Sequence, residues 1–251
     1  MTDWTLTDAY GEQQGDLFSI ILGPDLYEFL LNDSHFTAEI RRLRKQLFRQ
    51  FGFYLPSIRI RIGNMSEPQH YTLSIRGNQV AVGQLRPPLR FSKAEEGKAT
   101  PTDIHPILHI PGNWSDQPGE ESRDILLSHV EQVLQRRLPE LLTYEGVGLW
   151  LKQAESHAPS LIKELTNQGV TTGLLWSVMK RLIQDGISIA PFEELLETML
   201  EFYLENPHDG YTPPEWTRPH PTEITKYITE KKKNRKSAIH FRTGKIIGFS
   251  R

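Results

Sequence analysis

The sequence predicts an α+β protein: a small α/β subdomain in the order strand, helix, strand and hairpin, then a helical subdomain, then an irregular basic tail. Three observations predict it. Residues 40–62, IRRLRKQLFRQFGFYLPSIRIRI, set Ile40, Leu43, Leu47 and Phe48 at helical spacing and Ile58, Ile60 and Ile62 at strand spacing, so the period changes from 3.6 to 2 across Gly52 and Pro56. Prolines and glycines crowd residues 86–121 and break any long element there. Beyond residue 122 the apolar residues recur almost entirely at helical spacing.

Taken in order, Leu17 to Leu22 read as the first strand, and the basic helix through Arg49 stops at Gly52. A strand from Pro56 through Ile62 follows, then a Ser66-Glu67-Pro68 turn and a hairpin with arms at Tyr71 to Ile75 and up to Leu85. Between Arg86 and Glu121 one short strand is expected, Ile107 to Ile110. Helices are expected at about 122–138, 145–154, 158–166, 171–185 and 191–204, with Pro159 and Pro191 near starts, where a missing N–H costs little. The last of these puts Phe192, Leu195, Leu196, Met199, Leu200 and Tyr203 on one face, each worth roughly 1.5–3 kcal/mol if buried. Glu193, Glu194, Glu197, Glu201 and Glu205 fill the remaining positions as a solvated face. The boundaries are then a polar leader 1–15, the α/β subdomain 16–86, an abbreviated insert 87–121, the helical subdomain 122–205 and a tail 206–251.

With 251 residues the chain forms one large or two small domains and is long enough to bury about 70% of its unfolded surface. Zero cysteines exclude disulfides and thiolate metal sites and fit a reducing compartment. A formal charge of −2 gives no global attraction to nucleic acid or membrane. No apolar run reaches the ~18 residues that cross a bilayer, and MTDWTLTDAYGEQQGD is too acidic and polar for a signal peptide, so a soluble chain is expected.

The residues that carry chemistry elsewhere do not assemble into a set here. His105 and His109 have i, i+4 spacing, but Pro106 and Pro111 argue against the helix that would align them on a metal. His129, between Leu127 and Val130, reads as a surface or capping residue. There is no nucleophile elbow, phosphate-binding lysine loop or dinucleotide fingerprint; Gly146-Val147-Gly148 is a two-glycine helix junction. No enzyme activity and no cofactor are therefore expected. Lys231, Lys232, Lys233, Arg235 and Lys236, with Tyr211, Trp216 and Tyr227, offer a weak nucleic-acid or acidic-lipid reading, and a solvated tail explains them better.

Arg44, Gln46, Leu47, Gly52, Phe53, Pro56, Arg59 and Arg61, followed by Ile75-Arg76-Gly77-Asn78-Gln79-Val80-Ala81-Val82-Gly83-Gln84-Leu85, together resemble the FHIPEP family, the large export-gate subunit of flagellar and virulence type III secretion systems. Ser128-His129-Val130 sits where that family has Thr-His-Leu. Glu140-Leu141-Leu142 with Glu145, and the run from Pro159 to Glu197, continue the match, which covers roughly residues 16–205 in order. The resemblance implies a shortened second subdomain, a missing or replaced fourth one, and a membrane region elsewhere in relatives. It also implies action by protein contact, with secretion chaperone–substrate complexes and other export-apparatus proteins as partners, at the cytoplasmic face of the bacterial inner membrane and in a nine-membered ring. In the family's partner-docking surface Ser128 takes the place of the Thr, Asp103 lies in the corresponding part of the insert with Ile104 after it, and the aromatic residue has no counterpart here; local packing and a helix-start hydroxyl are the other reading of these three residues. A stand-alone regulator that binds one secretion component is the alternative.

Overall fold

The computed structural model describes residues 16–32, 34–55, 57–94, 100–207 and 219–243, with side chains described as far as Arg235. The polar leader, Pro56, Tyr211, Trp216 and the Lys236 side chain lie outside them. The described residues hold eight helices and two four-stranded sheets. The chain divides into two compact units, residues 1–47 with 54–137, and residues 48–53 with 138–251.

In the first unit, β1 (Phe18–Leu22) lies at the centre of the sheet, parallel to β2 (Arg59–Ile62) and antiparallel to β3 (His70–Ile75), with β4 (Asn78–Gln84) beyond β3. The parallel pair needs a crossover, supplied by helices α1 (Pro24–Leu31) and α2 (Ser34–Phe51). Phe18, Ile20 and Leu22 alternate onto one face and stand opposite Ile75, Leu73 and Tyr71; all six are buried. Leu26 and Leu30 of α1 and Phe36, Ile40, Leu43 and Leu47 of α2 complete this core. β3 and β4 are joined by a two-residue turn in which Arg76 (φ 51°) and Gly77 (φ 78°) are both left-handed, the geometry whose twist suits a tight hairpin.

Helix α1 has no counterpart in the sequence expectations. Pro24 starts it, where a missing N–H costs little, and its eight residues hide a helical signal behind the longer α2. The end of α2 matches its expectation: Gly52 is left-handed (φ 72°), and its N–H donates to Phe48 O at 2.7 Å. The next loop is tied back by Arg44, whose Nε and Nη2 both donate to Leu55 O, at 3.1 and 2.8 Å, while its guanidinium stands over the Tyr54 ring.

The insert differs from expectation. Ile107 to Ile110 is a turn rather than a strand. The strands are instead β5 (Arg90–Lys93), β6 (Asp103–Ile104), β7 (Pro111–Ser115) and β8 (Glu120–Glu121), arranged β6-β7-β5-β8. The reason is local: strands of two to five residues fit between the prolines, and Phe91 supplies a centre by meeting Trp114 and His105 edge-on at 5.4 and 4.9 Å. Gly112 makes room, since a Cβ there would sit 2.4 Å from the Phe91 ring. Helix α3 (Ser122–Leu141) follows.

The second unit is helical: α4 (Tyr144–His157), α5 (Pro159–Asn167), α6 (Thr172–Gln184), α7 (Phe192–Glu205) and α8 (Pro221–Thr243). Thr143 and Thr171 cap α4 and α6 by accepting from Gly146 N and Leu174 N. Leu175, Val178, Met179 and Leu182 of α6 and Leu195, Leu196 and Met199 of α7 are fully buried. Helix α8 replaces part of the stretch expected to be an irregular tail. It packs on α6 and α7 through Ile224 and Ile228, both fully buried, one turn apart. Two isoleucines among threonines and lysines are too sparse a stripe to announce a helix.

Candidate docking site

The turn after β6 is built around His105, whose side chain is 2% exposed. Its Nδ1 accepts from the backbone N–H groups of Ile107 and Leu108, at 3.2 and 3.1 Å. The ring proton must then sit on Nε2, which faces Glu120 Oε2 at 3.2 Å. This histidine is a turn organiser. His109, in left-handed conformation (φ 54°), closes the same turn by donating its N–H to His105 O. Among the described residues no group of histidine and carboxylate side chains has the spacing to hold a metal ion.

That turn presents apolar surface: Ile104 is 66% exposed and Leu108 58%. Asp103, next to Ile104 on the edge strand, is held inward. Its carboxylate accepts from Arg86 Nη2 at 2.7 Å and from Thr102 Oγ1 at 2.9 Å. Asp103 thus fixes β6 to the residues before β5, and Ile104 is the side chain it leaves outward. Arg86 Nε, also buried, has no acceptor among the described residues.

Ser128 stands on α3, a different element, and is half-buried. Its neighbour His129 corrects the surface reading: Nδ1 lies 2.6 Å from the Tyr71 hydroxyl, and the rings meet edge-on. Burial raises the Tyr71 pKa, so its hydroxyl stays protonated and donates to Nδ1. The His129 pKa is lowered, first by burial and then by His109, Arg136 and His105. The influence of His105 and His109 brings the β6–β7 turn and the Ser128–His129 turn of α3 into one electrostatic neighbourhood. Tyr71 reaches α3 because Gly83, opposite it on β4, has no Cβ; one would lie 2.4 Å from the Tyr71 oxygen.

In the second unit, Phe48, Gly52, Trp150, Ala154, Pro191 and Phe192 line an apolar cleft of about 430 Å³. The basic run assigned to a tail is engaged within the same unit. Lys231 pairs with Glu205 at 3.0 Å and Glu201 at 3.4 Å, Arg235 pairs with Glu194, and Lys232 Nζ donates to Ser188 O and Ala190 O. Glu194, Glu201 and Glu205 of α7 therefore face α8 cations, while Glu193 and Glu197 are exposed as a solvated face.

The FHIPEP family model matches residues 7–243. The chain belongs to the FHIPEP family. Its relatives include the flagellar biosynthesis protein FlhA of Bacillus subtilis, 23% identical over an alignment of 178 residues that covers 64% of this chain and 26% of that protein. FlhA of Caulobacter vibrioides is 26% identical over an alignment of 186 residues that covers 67% of this chain and 27% of that protein. The chain thus spans about a quarter of the length of these curated relatives. Among solved structures, the Chlamydia pneumoniae CdsV protein superposes with a TM-score of 0.69 at 19% identity, over 91% of this chain and 67% of that one. CdsV in complex with CdsO gives 0.66 at 19% identity over 90% and 70%, and nonameric EPEC SctV-C gives 0.60 at 13% over 85% and 64%.

For this member of the FHIPEP family, the residues that organise the candidate site were only partly visible in the sequence. Asp103 and Ile104 stand together on β6, and the structure gives them opposite roles. Tyr71, Arg86, Leu108 and Glu120 were missed. Only the placement of Tyr71 opposite Gly83 in a hairpin offered a signal, because a glycine facing an aromatic across a ladder marks where the ring lies over the backbone.

Proposed function

We propose that this chain is a non-catalytic component of a type III protein export gate that receives chaperone-bound substrates and other export proteins by direct contact. The observation that carries the reading is the family match over residues 7–243. The names of the FlhA relatives support a role in building an export machine, and the likeness to CdsV and SctV-C supports a shared fold. The docking surface is the β6 edge and its turn, with Ile104 and Leu108 as the apolar contact. Asp103 holds that edge in place, and Ser128 of α3 is a further contact residue in this reading. The chain acts at the cytoplasmic face of the inner membrane; among the described residues no helix is long and apolar enough to cross a membrane.

The nonameric state of SctV-C favours a ring for this chain as well, formed where tethering raises the effective concentration. The experiment is genetic: the coding segment is deleted in the host and exported proteins are assayed in the medium. Loss of type III export, restored by the wild-type sequence and not by Ile104→Asp, is expected. Undiminished export in the deletion strain would refute the proposal.

A further inference from the structure

Helix α8 meets glutamates on one side and a cation on the other. Toward α7, Lys231 pairs with Glu201 and Glu205, and Arg235 pairs with Glu194. Toward α6 the charge is of the same sign as its own, because that helix presents Arg181. Thr222, Lys226, Thr229 and Lys233 of α8 recur at i, i+4, i+7 and i+11 and so form one stripe along the helix. This stripe and Arg181 line a cavity of about 480 Å³ between α6 and α8.

A second cavity, of about 780 Å³, continues the first, since Thr229 and Lys233 line both. The joined furrow is lined by the cations Arg181, Lys226, Lys232, Lys233 and Arg235 and by the carboxylates Asp185, Glu194 and Glu230. Arg235 and Glu194 answer each other, which leaves four cations beside two carboxylates. Lys232 Nζ donates to Ser188 O and Ala190 O, which hold its ammonium at the furrow without neutralising it. The side chains of Arg181 and Lys226 are exposed and form no ion pair among the described residues.

We propose that this furrow binds an acidic segment of a partner protein in extended conformation. The sign of the partner follows from the excess of cations, which attracts carboxylates and steers their approach. Its length follows from the stripe: Thr222 to Lys233 rises about 17 Å along α8, the reach of about five extended residues. Its class follows from what the lining lacks. None of the lining residues of either cavity is aromatic, so the furrow has no platform on which bases stack, and an acidic peptide fits it better than a single-stranded nucleic acid. All these residues belong to the second unit and none to the β6 edge, so this contact stands or falls independently of docking there.

The test is fluorescence anisotropy of the full chain with a labelled peptide of about six glutamates, a little longer than the stripe. Saturable binding at low salt, weakened as salt rises, is expected, with none to the same peptide made of glutamines. An Arg181→Glu, Lys226→Glu variant should bind at least about tenfold more weakly, as like charges set against an acidic partner require. A Lys152→Glu, Lys163→Glu variant carries the same change in net charge on α4 and α5 and should bind as the wild type does. Both pairs are exposed, and circular dichroism of each variant should match the wild type. No binding of the glutamate peptide, or equal weakening in the two variants, overturns the proposal. Tighter binding of an oligothymidine of equal charge, lost in the Arg181→Glu, Lys226→Glu variant, also overturns it and assigns the furrow to nucleic acid.

Discussion

Gly52 shows how a single residue links the sequence signature to the packing of the helical unit. Its positive φ ends α2, and its missing Cβ lets Ala190 approach; a Cβ would lie 2.4 Å from the Ala190 Cβ and 2.5 Å from its backbone nitrogen. The neighbouring Phe51 O accepts from Ile189 N at 2.8 Å, so any shift there disturbs a backbone bond as well. Gly52→Ala should lose the left-handed preference, about 1–2 kcal/mol, and add a clash with backbone. Gly186, also left-handed (φ 70°) but facing open space, should lose only the first part on changing to alanine. Urea denaturation of both variants checks this, and equal losses would contradict it.

His129 gives a pH dependence of defined sign. Its pKa in the folded protein lies below the ordinary histidine value, so the unfolded chain binds more protons across the interval between the two. Its contribution to stability is present above about pH 6.5 and is lost progressively as pH falls from there towards the folded pKa. Protonation also puts a hydrogen on Nδ1, where the Tyr71 hydroxyl now donates. Chemical denaturation at pH 7.5 and pH 5.5 should show this loss, reduced in His129→Gln. An unchanged slope in the variant would place the titration elsewhere. The sequence showed His129 only as a polar position in a helix. Its burial depends on Tyr71, 58 residues away, which no local pattern encodes.

Legibility differed from element to element according to how much local periodicity each carried. The α2–Gly52–β2 passage was readable because its period changes within a few residues and a glycine marks the change. The small sheet of the insert was not, because strands of two to five residues carry too few alternations and are held by one aromatic cluster about Phe91. Helix α8 failed for the reverse reason: its charge pattern was plain, but its partners lay on α7, and the two buried isoleucines were masked by polar neighbours. Ile228→Ala should cost about 2–4 kcal/mol, typical of a buried aliphatic truncation. Lys231→Ala should change stability much less, because its pairs with Glu201 and Glu205 are solvated and screened. Thermal denaturation of the two variants at low and high salt separates the contributions; a larger loss from Lys231→Ala would contradict this account of α8.

At the scale of the whole molecule, composition excluded more than it established. No cysteine and a charge of −2 removed disulfide frameworks and bulk attraction to polyanions, while the ordered motifs pointed to the family that the match over residues 7–243 then showed. The proposed docking surface was legible only as two adjacent residues, and their division into an inward aspartate and an outward isoleucine needed Arg86, 17 positions earlier in the chain. The central claim is that this chain docks export cargo through the β6 edge. The most direct measurement is calorimetric titration of the purified chain with the host's own substrate-loaded secretion chaperones, beside an Ile104→Asp, Leu108→Asp variant whose circular dichroism matches the wild type. Saturable binding by the wild type, weakened at least about tenfold in the variant, as removal of a buried apolar contact at an interface core would produce, is the predicted result. Binding of equal strength by both proteins, or by neither, would contradict the claim.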